Sequence, residues 1–345
     1  MTTTSWTAST TWRGVRCAFT RPGEDDGSGG HVLARVAYQR HDAPPALRGG
    51  APWVGVHMTA PDDEPFDEVW RTDLPVRAGS AGDLVYAEDG EHLFCAVRVD
   101  ERGVYRDAVR EAYRAAFDLI TRLNYPRLFR MWNLVGGIID PNEEGEEIYR
   151  DFCVGRAEAF EEWAGRVGSI PAATGIGTRS RGVTLYFMSG RDINPVHLEN
   201  PRQTPAYEYP EQYGRKSPTF ARATWLGSGA DSAGTLFVSG TASIVGDETV
   251  RRDDVLGQVE VTLGNIADLI GAANLHRHGL GGGYSLTDLD LVKVFVRDAA
   301  DLPAVRARCA RSLSPDARVV YLNVDVCRPD LLVEIEGICP PRKEG

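Results

Sequence analysis

The sequence predicts an α+β fold of two like units, each a mixed β-sheet with two helices packed on one face, preceded by an N-terminal extension. Three observations predict it. The order strand, helix, strand, helix, strand runs from residue 92 to 189 and returns from 236 to 338. The helical stretches space their apolar residues by three and four, while the strand stretches are short apolar runs. The length of 345 residues suits two domains at roughly 150 residues each.

Composition sets the outer bounds. The chain is 42% hydrophobic and 25% charged, ordinary values for a packed globular protein and not for a disordered one. Forty-nine acidic against 38 basic residues leave a formal charge of −11. That balance argues against nucleic acid or an anionic membrane as the main partner, but it permits an anionic small molecule in a locally positive pocket. No stretch approaches the ~20 apolar residues of a membrane span. The opening MTTTSWTASTTWRGVRC lacks an apolar run, so no secretory signal is expected. The six cysteines, at 17, 95, 153, 309, 327 and 339, form no CxxC pair. They suit neither a zinc site nor a disulfide framework, and the expected compartment is the cytoplasm.

Residues 1–90 are punctuated by Gly and Pro, with short strand-like runs at 31–38 and 54–59, and read as an extension packed on the core. The first unit, 91–195, holds a strand at 92–99, an amphipathic helix from Tyr105 to Leu123, a strand at 127–136, a helix over 146–165 with an acidic start, and a strand at 182–189. The second unit, 218–345, holds a strand at 236–244, a helix from Asp254 to Ile270, a strand at 290–298, a helix from Asp301 to Ser312, and closing strands at 319–327 and 330–338. Between the units, 191–220 carries five prolines, three tyrosines and no periodicity. An ordered segment across the interface of the units is expected, with 196–217 as its linker core.

Few familiar catalytic signatures occur. The GLGGGY run at 279–284 does not sit between strand and helix and reads as a flexible loop. His276 and His278 lack a third ligand, so no metal site is expected. In LLVEIEG, 331–337, the period of two places Leu332, Glu334 and Glu336 on one face. Two glutamates on one face of an apolar strand mean either a solvated outer face or a carboxyl in a half-buried cleft, its pKa raised to deliver a proton. Gly240 interrupts the apolar strand LFVSGTASI, marking either a bulge or the close approach of a ligand. Cys327, by itself, reads as a buried strand cysteine.

LFVSGTASI, a helix, DLVKVFVRD and VEIEGI together resemble the RidA-like fold over about residues 218–345. Where RidA deaminases carry an arginine ahead of the closing glutamate, this chain has Val319, with Arg318 facing the other way. A second resemblance covers most of the chain. RLFRMWNLVGGI (127–138), YRDFCVGRAEAF (149–160), GIGTRSRGVTLYF (175–187), NPVHLENPRQTPAYEYPEQYG (194–214), SPTFARATWL (217–226) and DVCRPDLLVEIEG (325–337) are similar to the chorismatase family.

That resemblance implies two fused RidA-like units and cleavage of the enolpyruvyl ether of chorismate without cofactor or metal. It implies Glu334 as the acid that protonates the terminal methylene, with Glu336 as supporting neighbour or structural residue. Gly240 and Cys327 resemble the branch that forms 3-hydroxybenzoate, whereas the hydrolytic branch carries Ala and a small apolar residue there. The substrate's two carboxylates require cationic or phenolic donors. Arg222 is the first candidate, with Tyr207, Tyr209, Tyr213, Arg150 and His197 behind it, and Arg156 as a weaker one. The alternatives are a hydrolytic chorismatase giving a diol acid and a non-catalytic module that binds small acids. A monomer is expected, because fusion can satisfy interfaces that RidA proteins satisfy by trimerising.

Overall fold

The computed structural model describes residues 10–12, 14–25, 27–59, 64–227 and 234–341. The first nine residues, part of the stretch read above as lacking a signal, lie outside them. No helix among the described residues is long and apolar enough to cross a membrane.

The described residues form three six-stranded sheets and a short hairpin. The first sheet comprises β1 (Thr10–Trp12), β2 (Val15–Thr20), β3 (His31–Gln39), β4 (Ala43–Arg48), β5 (Ala51–His57) and β6 (Phe66–Thr72). The second follows with β7 (Arg77–Ala81), β8 (Leu84–Glu88), β9 (His92–Val99), α1 (Arg106–Arg122), β10 (Arg127–Gly136), α2 (Ile148–Glu162), β11 (Ala172–Thr178) and β12 (Val183–Gly190). The third takes β13 (Val196–Leu198), β14 (Ala223–Leu226) and β15 (Thr235–Ala242). Then come the hairpin β16 (Ile244–Val245) and β17 (Glu248–Thr249), α3 (Val255–Ile270), α4 (Ala272–Arg277), β18 (Leu291–Val296), α5 (Leu302–Cys309), β19 (Arg318–Asn323) and β20 (Val333–Cys339).

The expected duplication is present in the strand order. The second sheet runs β11-β10-β12-β9-β8-β7 and the third β19-β18-β20-β15-β14-β13. In both, the first pair is parallel and every later pair antiparallel. The N-terminal region, read above as an extension packed on the core, repeats the scheme a third time with no helix among its described residues: β5-β3-β6-β2-β1, with β4 added beyond β5. Two features hid it. All seven positions of β6 are buried, so it shows no solvated alternate face. Two prolines stand in β4, where an edge position and a bulge between Ala43 and Ala46 accommodate them. The sheet divisions also fall elsewhere than at 91 and 218. Residue 91 lies between the paired strands β8 and β9, and 218 lies between the paired strands β13 and β14.

Helices α1 and α2 cover the outer face of the second sheet, where Val109, Tyr113, Phe117 and Ile120 are fully buried. Helices α3 and α5 cover the third through Val259, Leu263, Ile266 and Val305. The inner faces of all three sheets meet in one central core that includes Phe19 and Trp70, Phe94 and Trp132, and Phe237 and Phe295. Each such large apolar side chain contributes roughly 1.5–3 kcal/mol by leaving water. Residues 21–25 lie on the outer face of the first sheet: Gly23 N–H donates to Asp67 at 2.8 Å and Arg71 pairs with Asp25 at 2.9 Å.

Candidate active site

The second and third sheets meet edge to face where β11 crosses β15. Ala172 and Ala221 form a parallel bridge, Ala173 N–H donates to Ser239 Oγ at 3.1 Å, and Gly240 N–H donates to Thr174 Oγ1 at 2.9 Å. A cavity of about 430 Å³ opens beside this seam. Its floor is Ala173 and Gly175 from β11, Gly240 and Ala242 from β15, and Glu334 from β20. Helix α2 supplies Tyr149 and Arg150, and its N-cap Glu147, to one wall; the β19–β20 connection supplies Cys327, Arg328 and Asp330 to another. The linker supplies Tyr209, Tyr213, Pro218 and Phe220, and Arg222 follows it just before β14.

Glu334 and Glu336 share a face, as the period of two requires, and that face is interior: each side chain is only 3% exposed. The solvated reading of this strand is therefore excluded. The two carboxyls nevertheless differ sharply. Glu336 accepts from Arg130 at 2.7 Å, Trp132 at 2.9 Å and Thr174, and pairs with Lys293 at 3.0 Å. Burial alone would raise its pKa, but Lys293, Arg130 and the two neutral donors outweigh burial and hold it down to about 2. Glu334 has no hydrogen bond or ion pair among the described residues. Burial first, and the charge of Glu336 second, push it up to about 8 against the weaker pull of Arg130 and Arg222. It is thus a protonated carboxyl at neutral pH, facing a cavity.

A β-carbon at Gly240 would meet Glu334 Oε1 and crowd Thr174 Cγ2, so any larger residue there must displace the Glu334 carboxyl. Cys327 is partly buried, and burial followed by the nearby Glu334 raises its pKa well above the usual value. It is a neutral thiol in the resting site, not a thiolate. Tyr149, which sequence reasoning missed, is raised likewise by burial, then by Cys153, Cys327 and Glu334.

Arg222 is 2% exposed and donates to Thr204 O at 2.9 Å and Tyr209 Oη at 2.8 Å, while its Nε is buried with no partner among the described residues. Arg328 donates to Asp247 O at 2.8 Å and lies over the Tyr213 ring, 3.9 Å from its centroid; its Nη2 is also buried with no partner among the described residues. Sequence reasoning did not single out Arg328, although it directly follows Cys327. Arg150, Tyr209 and Tyr213 also line the cavity.

Two expected residues lie elsewhere. Tyr207 is 41% exposed on a separate surface groove beside α2, and bonds to Glu199. His197, on the edge strand β13, meets Thr224 Oγ1 at 2.9 Å, and burial lowers its pKa to about 4. Arg156 is turned away from the cavity and clamps the linker through Thr219 O at 2.8 and 3.0 Å. Arg318 is buried on the inner face that Val320 and Leu322 share, opposite to Val319, and pairs with Asp290.

A three-sheet molecule with a protonated carboxyl and orphaned guanidinium nitrogens in one cavity has the equipment of an acid-catalysing enzyme for small anions. The chain belongs to the chorismatase family. Residues 68–189 match the family described as "Chorismatase FkbO/Hyg5-like, N-terminal". A 3-hydroxybenzoate synthase of Streptomyces hygroscopicus is 48% identical over 312 residues, covering 90% of this chain and 92% of that protein. A chorismatase of Streptomyces rapamycinicus is 46% identical over 324 residues, 93% and 97% of the two chains. A chorismatase crystal structure matches with a TM-score of 0.89 at 44% identity, covering 96% of this chain and 99% of that one.

Proposed function

We propose that this chain converts chorismate to 3-hydroxybenzoate and pyruvate. The observation that carries the reading is the protonated Glu334 in a cavity bounded by Gly240 and Cys327, in a chain 48% identical to a 3-hydroxybenzoate synthase. Glu334 delivers its proton to the terminal methylene of the enolpyruvyl group, giving an oxocarbenium ion. The C4 hydroxyl then displaces the enolpyruvyl oxygen at C3, and pyruvate leaves with that oxygen as its carbonyl. The hydroxyl proton returns to Glu334, directly or through the neutral Cys327 thiol, and the arene-oxide-like ring rearranges to the phenol. Pyruvate and 3-hydroxybenzoate together are isomeric with chorismate, so no water is consumed.

Arg222 and Arg328 suit the two carboxylates, because each carries a buried N–H with no partner among the described residues. Tyr209 and Tyr213 hold these guanidinium groups from the linker side and help close the cavity. Six free cysteines, five of them buried, suit a reducing cytoplasm. Three sheets closing on one core within a single chain suit a monomer.

The test is to mix the purified protein with chorismate, with no added metal or cofactor, and identify products by mass. Aromatic 3-hydroxybenzoate with stoichiometric pyruvate is expected. Diol acid with pyruvate would retain the family chemistry and remove the roles given to Gly240 and Cys327. Absence of pyruvate would overturn the catalytic reading.

A further inference from the structure

The centre of the molecule holds a cluster of charges that the reaction above does not use. Three topologically equivalent strand pairs meet there, with register partners Lys293 and Glu336, Trp132 and Tyr186, and Val36 and Glu68. Lys293 bridges two carboxylates, Glu336 on its own sheet and Glu68 on the first sheet. Glu68 also accepts from Trp70 Nε1 at 2.8 Å and from Tyr38 Oη at 3.3 Å. Arg130, from the second sheet, meets Glu336 at 2.7 Å and Thr174 Oγ1 at 2.7 Å. Glu68, Arg130, Lys293 and Glu336 are each at most 4% exposed.

Two cations and two carboxylates leave this quartet without net charge. Glu336 receives four donors and is committed to its ionised form. Glu334 lies two residues along the same face and meets that fixed negative charge. The groups that face it from other elements do not neutralise it. Arg130 of β10 is engaged by Glu336, Arg222 before β14 is engaged by Thr204 and Tyr209, and Cys327 and Tyr149 are neutral. A third carboxylate here would be buried with only the weaker pull of Arg130 and Arg222 set against burial and Glu336.

We propose that Glu336, Lys293, Arg130 and Glu68 act as a positioning cluster that keeps the proton on Glu334, and that Glu68 brings the helix-free first sheet into control of the acid. The inference rests on Glu334 being the proton donor. The cluster also touches the other side of the donor, since Thr174 bonds Glu336 and accepts from the Gly240 N–H.

The first experiment is a carboxyl-carbon NMR titration of the ¹³C-glutamate-labelled wild-type protein, with signals assigned by their loss in Glu334→Gln and Glu336→Gln. Glu334 is expected to keep its proton past neutrality while Glu336 stays ionised into the acid range. Titration of Glu334 in the ordinary carboxylate range overturns the proposal, and this readout needs no substrate. The second experiment is the pH profile of kcat/KM. Glu336→Gln and Glu68→Gln each leave the cluster with a surplus positive charge, which favours ionised Glu334. The basic limb is expected to move down by about one pH unit in Glu336→Gln and by less in Glu68→Gln. Variants that are slower but keep the wild-type limb would show a merely structural role and overturn the proposal. Wild-type protein that releases no pyruvate overturns the functional reading alone, and the titration then decides the cluster.

Discussion

Two glutamates two residues apart differ because of what surrounds them, and stability records the difference. Glu334 has its folded pKa raised to about 8 from an ordinary 4.5, so its contribution to stability is full below about 4.5 and is lost as pH rises toward 8. Glu336 is depressed to about 2, so its contribution is present above about 4.5 and is lost as pH falls toward 2. Glu334→Gln is therefore expected to fold normally and melt at a higher temperature than wild type at pH 9, with the difference vanishing near pH 5. The same variant is expected to lose at least ~100-fold in turnover, the lower end of what a placed acid supplies. Thermal scans at the two pH values and a pyruvate assay check both. At Gly240, an added β-carbon must displace the Glu334 carboxyl, which alters both acid placement and ring depth. Gly240→Ala combined with Cys327→Ala is expected to shift product toward the diol acid, read as a product ratio by mass. An unchanged ratio would refute the role of this pair.

The linker is the element that turns a seam between sheets into a closed cavity. Pro205 and Pro210 precede two single-turn 3₁₀ helices, Ala206–Glu208 and Glu211–Tyr213, and fix their approach. These turns place Tyr209 against Arg222 and Tyr213 against Arg328. Removing the Tyr213 ring forfeits a cation–π contact worth about 0.5–2 kcal/mol. Tyr213→Ala is expected to raise KM for chorismate roughly 3- to 30-fold, with a smaller change in kcat. Steady-state kinetics would show this, and a loss confined to kcat would remove the binding role. Tyr207, two residues before Tyr209, illustrates the limit of reading an aperiodic segment: nothing in AYEYPEQY says which rings face inward. Helices α1, α2, α3 and α5 were legible to within a few residues, because α1 and α3 repeat apolar residues at helical spacing against a sheet, whereas the six-residue α4 was not anticipated.

At the scale of the whole molecule, the first sheet is a third wall of the core. It contributes Phe19, Tyr38, Val54, Phe66 and Trp70 to the central cluster and Glu68 to Lys293. A chain beginning at residue 74 would expose that core and leave a buried lysine with one fewer partner. It is expected to show no cooperative thermal unfolding transition by circular dichroism. A cooperative transition would make the sheet a dispensable cover.

By itself, the sequence determined the α+β class, the repeated strand–helix order, the shared face of Glu334 and Glu336, and the motifs that place the chain among chorismatases. Each of these is local, set by periodicity or by a short run of residues. Tertiary structure alone decided that this face is interior, that Glu336 is ionised and Glu334 is not, that Arg328 joins the cavity, and that His197 and Tyr207 do not. It also decided that the N-terminal region is a third sheet. The physical reason is common to all five: burial and charge compensation arise from side chains far apart in the chain. Lys293, Arg130 and Glu68 come from three different sheets, and no spacing along the chain encodes their meeting.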